Sequence, residues 1–264
     1  MKRSTSAVLL AAFLAAALAW MLLFPLLPMA EPYASLLSEG GTALLSAVGA
    51  LLACHAVGAH LLRAKKAKRN PMTLPAALML LLVAVNNFPF LAVLSGAARV
   101  TAPLPAVLLF AALCLAVAAL EELVFRALVF PAFARRFPRT PRGIFMAVLA
   151  SSAIFGAFHL LNLAANAPLP DTLLQVGYSF LVGAAACMLL LYSGNILLPI
   201  AFHAVYNFGG MLIPRLGTGK LWDTPTVIFT AAIALLAAVF ATTSLFWPQK
   251  TRKNTPETQE NDFF

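Results

Sequence analysis

The sequence is short of charge. Of its 264 residues only 10% are Asp, Glu, Lys or Arg, while 62% are hydrophobic. A soluble domain carries roughly 25% charged and 45–50% apolar residues. Too few charges are present to coat a water-facing surface, so an ordinary soluble globular fold is excluded. Cysteine is scarce too. Cys54, Cys114 and Cys187 form no even, regularly spaced framework and read as small apolar packing residues. The short alternating segments of a membrane β-barrel are absent. So are an internal repeat of the transporter kind and any loop long enough to fold by itself.

What fills the chain is long apolar blocks. A membrane-crossing helix needs about 20 mostly apolar residues. In lipid the backbone must satisfy its own hydrogen bonds, so such blocks are helices. By that rule the fold class is all-α: a polytopic transmembrane helix bundle of about eight spans. They lie near 7–29, 41–63, 74–96, 105–133, 143–163, 172–193, 195–213 and 225–247. Ser193-Gly194-Asn195 reads as a tight turn between the sixth and seventh. Pro89 is expected to kink the third. Residues 1–248 read as one membrane-embedded domain, and 249–264 as a disordered polar tail.

Eighteen basic residues against nine acids give a net charge of +9, but the cations are placed for topology rather than for nucleic acid. Lys2 and Arg3 precede span one; Arg63, Lys65, Lys66, Lys68 and Arg69 follow span two. Arg135, Arg136, Arg139 and Arg142 follow span four, and Lys250, Arg252 and Lys253 follow span eight. All fall on one side if every span crosses. The other side holds Arg99, Arg215 and Lys220. The positive-inside rule then puts both termini in the cytoplasm. Span one is too long for a signal-peptide core and is expected to stay. The expected location is a prokaryotic plasma (inner) membrane.

Chemistry is sought where polar groups sit in apolar context, because each is costly there. Glu121 and Glu122 are the two acids expected inside a span. On a helix Glu122 and Arg126 are i and i+4 and pair. Glu121 points about 100° away and is left to face a cavity. A desolvated carboxylate suits general-base work. Phe155 and His159 share a face in span five, as do His203 and Asn207 in span seven. Such a set on three helices can activate water and stabilise an oxyanion, or hold a metal. Other polar residues read as packing groups. His55 and His60 do not share a face. Asn86 and Asn87 are expected to bond the carbonyls that Pro89 frees or a neighbouring helix. Gln175, Tyr178 and Ser179 form one face of span six, and Gly209-Gly210 permits close approach or a bend.

Three signatures in order, Glu121-Glu122-x-x-x-Arg126, Phe155-x-x-x-His159 and His203-x-x-x-Asn207, make the sequence resemble the CPBP family of intramembrane proteases, the CAAX-protease and bacteriocin-processing (Abi) family. The resemblance covers roughly 105–213. It implies a helical membrane peptidase acting on a membrane-associated protein or peptide. By that resemblance Glu121 activates water with His159 assisting, His203 and Asn207 hold the oxyanion, and Glu122, Arg126 and Phe155 support the site. It also leaves the cofactor open: zinc on Glu121, His159 and His203, or none. The H-E-x-x-H helix of a strong zinc site is missing. Two other readings stand beside it: a non-catalytic binding or immunity protein of the same family, and a proton-coupled transporter. One depth mismatch arises. His159 sits about 25 Å along span five and His203 about 10 Å along span seven, so span five is expected to begin early, around Pro141.

Overall fold

A computed structural model describes residues 3–59, 71–219 and 224–246. His60, the basic run 63–69 and the tail 249–264 lie outside the described residues.

The described chain is mostly helical, a bundle of apolar helices. In order come α1 (Arg3–Leu23), α2 (Tyr33–Ala56), α3 (Thr73–Asn86) and α4 (Phe90–Leu94). There follow α5 (Leu104–Glu122), α6 (Phe130–Ala134), α7 (Pro141–Phe158), α8 (Leu169–Ser193), α9 (Leu197–Leu216) and α10 (Thr224–Phe246). Among the described residues five helices are long and apolar enough to cross a membrane: 33–56, 104–134, 141–165, 169–193 and 197–216. Shorter apolar helices, 12–26, 73–86 and 226–240, stand at the places of spans one, three and eight.

Several boundaries differ from expectation, each for a local reason. The second span starts at Tyr33, not 41, because Glu31 and Pro32 begin a helix there. The Glu31 carboxylate accepts from Ser35 Oγ at 2.6 Å and from Ser35 N–H at 3.4 Å, an anion at a helix N-terminus. Glu39 thereby falls within a spanning helix, as does Asp171 in the first turn of α8, making four acids among the described residues where two were expected. Pro89 does not kink the third span but ends it. The α3 helix stops at Asn86, and the short α4 restarts after the proline. As expected, the asparagines bond neighbouring helices. Asn86 Nδ2 donates to Thr230 Oγ1 of α10 at 3.1 Å, and Asn87 Nδ2 to the Tyr206 carbonyl of α9 at 2.8 Å. Gly209 and Gly210 form the notch that lets this broken segment approach, since a Cβ at Gly209 would meet Phe88 backbone at 3.2 Å. One small departure from an all-α fold exists: Ala98–Val100 pairs antiparallel with Gly217–Gly219.

The fourth span contains a feature that periodicity does not show. Between α5 and α6 the helix widens to a π-helix over Leu123–Val129. Pro131 has no N–H for the Ala127 carbonyl, and its ring crowds that turn. A π-bulge just upstream relieves both. Side chains take up carbonyls in this stretch: Ser151 Oγ donates to Phe125 O at 3.3 Å, and Cys54 Sγ to Leu123 O at 3.7 Å.

The core divides by pole. At one end Phe130, Val148, Met188, Tyr192 and Ile196 pack with Met72, Phe133 and Phe137, joining the α6–α7 turn, the α8–α9 turn and the start of α3. Gly194 closes the α8–α9 turn at φ 61°, as the tripeptide predicts. At the other end Leu36, Ala106, Phe110, Leu212 and Leu216 unite the starts of α2 and α5 with the end of α9. The helix α7 does begin at Pro141, with Thr140 Oγ1 capping Gly143 N–H at 3.2 Å. It then runs tightly against α8: a Cβ on Gly156 would lie 2.8 Å from the Val176 carbonyl. Gly156→Val is therefore expected to destabilise the bundle by about 1–3 kcal/mol, read as a lowered thermal midpoint in detergent. An unchanged midpoint would refute the tight α7–α8 contact.

Candidate active site

The end of α5 delivers two adjacent carboxylates into different surroundings. Glu122 is fully buried, while the Glu121 side chain keeps 18% exposure and faces a cavity. A charge with no water around it needs partners. Glu122 has two: Arg126 Nε at 3.1 Å from Oε2, the expected i, i+4 pair, and His203 Nδ1 at 2.7 Å from Oε1. The Arg126 guanidinium is itself buried and lies 4.4 Å over the Phe155 ring, a cation–π contact in a dry site.

His203 reaches across from α9 and meets both acids. Its Nδ1 donates to Glu122, and its Nε2 lies 3.3 Å from Glu121 Oε2. Sequence periodicity pairs Glu122 with Arg126 correctly, yet says nothing of an imidazole held between the two carboxylates. That contact joins residues 81 apart, and no local pattern encodes it.

His159 sits where α7 tightens into a 3₁₀ turn over His159–Ala165. Its Nδ1 lies 3.1 Å from the Phe155 carbonyl, and Ser179 Oγ lies 3.4 Å from Nε2. With the first nitrogen donating to a carbonyl, the second accepts from the hydroxyl. His159 thus takes its hydrogen bonds from α7 and α8, not from Glu121. The depth mismatch between the histidines is closed all the same. The Phe155 ring stands edge-on to both, at 5.2 Å from His159 and 5.7 Å from His203.

A cavity of about 240 Å³ connects these groups. Glu121, Phe155, His159, His203 and Asn207 all line it, so the three motifs meet in one space. Glu122 and Arg126 lie behind its wall. From the face predicted on span six, Gln175, Tyr178 and Ser179 also line the cavity. The sequence reading missed Glu39, Cys114, Tyr206, Met211 and Arg215 as wall residues. One signal was present: His203, Asn207, Met211 and Arg215 recur every fourth residue. Arg215 is not a loop charge. It closes α9 and holds Glu39 bidentately, at 3.0 and 2.7 Å.

The side chains proposed as zinc ligands do not fit that task in this arrangement. Among the described residues no three His, Cys, Asp or Glu groups converge on one point. Both His203 nitrogens already face carboxylates, and His159 is held by Phe155 and Ser179.

Comparison with known families finds one match, over the segment that carries the three motifs. Residues 103–209 match the family model described as Type II CAAX prenyl endopeptidase Rce1-like. The matched segment runs from just before α5 into α9 and contains all three motifs. The resemblance to the CAAX-protease family is thereby shown for this segment. No curated protein and no solved structure matches the chain.

Removing one partner of a buried ion pair strands the other, at about 3–5 kcal/mol. Glu122→Gln should therefore yield little folded protein on size exclusion. The double variant Glu122→Gln, Arg126→Met should recover much of the lost thermal stability. Equal loss in both would mean that the pair is not held as described.

Proposed function

We propose that this protein is an intramembrane endopeptidase that hydrolyses a peptide bond in a membrane-associated protein or peptide. The observation carrying the reading is the contact of Glu121 with His203 inside a motif-lined cavity, 3.3 Å from Oε2 to Nε2. Residues 1–248 serve as one membrane domain around that cavity.

In this mechanism Glu121 is the general base. It takes a proton from water as the water oxygen attacks the scissile carbonyl carbon. The carbonyl π-electrons move to oxygen, and the Asn207 amide donates to the resulting oxyanion from one turn beyond His203. The His203 Nδ1–H is committed to Glu122, so its Nε2 is the basic nitrogen. That nitrogen accepts the proton from Glu121 and delivers it to the departing amine as the C–N bond breaks. Glu122 stabilises the imidazolium formed on the way, the part an orienting carboxylate plays behind a catalytic histidine. Arg126 holds the other oxygen of Glu122 in turn. His159, held through Nδ1 by the Phe155 carbonyl and through Nε2 by Ser179, fixes the opposite wall of the cavity, against which substrate lies.

The test compares peptide termini in membranes from cells making wild type or Glu121→Gln at matched levels. Termini present with wild type and reduced by about 10²–10⁴-fold in the variant are expected. Identical termini from two folded, abundant proteins would replace this reading with the binding or immunity role. Flux in liposomes lost with Glu121→Gln would favour transport instead.

A further inference from the structure

We propose, resting on the peptidase reading above, that Gly183 on α8 is a positioning residue of the site: its missing side chain makes the space in which Arg126 and Phe155 are held behind His203. It touches no substrate and acts through those two groups.

Helix formation gives no reason for glycine here. Gly183 is buried in the interior of the 25-residue α8 and has an ordinary negative φ. At such a place glycine is a poorer helix former than alanine. It also belongs to none of the three motifs. What calls for it is space. A Cβ on Gly183 would lie 3.0 Å from Phe155 Cδ1, 3.3 Å from Arg126 Nη2 and 3.4 Å from Ser152 Cα. Gly177, six residues earlier on the same helix, has no such neighbour within 4 Å. The demand for glycine is therefore local to Gly183 and set by the site.

The two crowded groups have nowhere to recede. Arg126 and Phe155 are each 1% exposed. The Phe155 ring stands edge-on to Phe125 at 4.9 Å, as it does to both site histidines. The guanidinium lies over that same ring. Among the described residues neither Arg126 Nη1 nor Nη2 has a hydrogen-bond partner. The contact of Nε with Glu122 and the surrounding walls, more than a polar network, set where the guanidinium sits. Gly183 is one of those walls. A close-packed interior passes a displacement on instead of absorbing it. A methyl group at Gly183 thus moves Arg126, on which the Glu122 carboxylate depends, and Phe155, against which both imidazoles rest. Through Glu122 the disturbance reaches His203 Nδ1.

The experiment uses the full-length protein, in detergent and in its native membrane. Gly177→Ala is the control, since it adds the same methyl group to the same helix in open space. Three readings are taken: the thermal midpoint, NMR of isotope-labelled histidine, and the yield of new peptide termini. Gly183→Ala is expected to fold and to shift the His203 Nδ1 proton from its wild-type position. Its terminus yield should fall by about 10–10²-fold, the cost of misplacing a catalytic group from a distance. Gly177→Ala should match wild type in the NMR and terminus readings. His203 resonances in Gly183→Ala that match those of Gly177→Ala overturn the proposal, whatever the midpoint. A residue that only packs would lower stability and leave the imidazole as it was. If Gly183→Ala does not fold, it is combined with Glu122→Gln and Arg126→Met, which removes Nη2. Recovery of folded protein in that background supports the proposal. Equal loss there shows that the glycine only joins α7 to α8, and overturns it. The NMR reading needs no turnover. Absence of wild-type termini would sink the peptidase reading, while the His203 signal still decides the role of Gly183.

Discussion

A carboxylate with no solvent exposure must be matched by groups that are themselves fixed, and Glu122 occupies that position here. Arg126 supplies the opposite charge from one turn along the same helix; His203 supplies a 2.7 Å hydrogen bond from α9. Both partners are buried, and Phe155 caps the guanidinium from α7. One ion therefore ties three helices together at the depth where chemistry is proposed. The cost of burying the ion is offset only while all partners stay in place, which makes the arrangement specific as well as demanding. Glu121, one residue earlier, is spared this role and remains at the cavity.

The surrounding fold serves that placement. The π-helical Leu123–Val129 stretch widens the turn that holds Arg126, and Ser151 and Cys54 satisfy carbonyls within it. The early start of α7 at Pro141 and its tightening to a 3₁₀ turn at His159 bring that imidazole to the same aromatic ring as His203. The break at Asn87-Phe88-Pro89 sits in the Gly209–Gly210 notch, close after Asn207. Irregular backbone inside a membrane protein is tolerated where it is buried in protein or lines a cavity. The π-helical stretch carries Arg126, and the 3₁₀ turn carries His159.

Much of this was legible in the residues themselves. Apolar block length gives the helices, because lipid leaves the backbone no other partner. The i, i+4 rule gives Glu122–Arg126 and the shared face of His203 and Asn207. Tight-turn chemistry gives Gly194. What escaped is of two kinds. Local conflicts between proline and helix have more than one resolution. Pro89 terminates where a kink was expected, while Pro131 forces a π-bulge and leaves the helix running. Contacts between distant elements leave no local trace, so His203 between two carboxylates and Glu39 against Arg215 required the fold. Glu39 was hidden by a simpler error: the second helix begins at the Glu31–Pro32 cap, ahead of the purely apolar run.

Glu122 holds His203 by Nδ1 and so leaves Nε2 facing Glu121. Nitrogen NMR of isotope-labelled histidine in detergent-solubilised protein tests it most directly, with His203 assigned by its loss in His203→Gln. The expected result is a protonated Nδ1 whose proton is shifted far downfield by the carboxylate, a signal removed by the otherwise refolded Glu122→Gln, Arg126→Met variant. A His203 protonated at Nε2 alone, with resonances indifferent to Glu122, would contradict it.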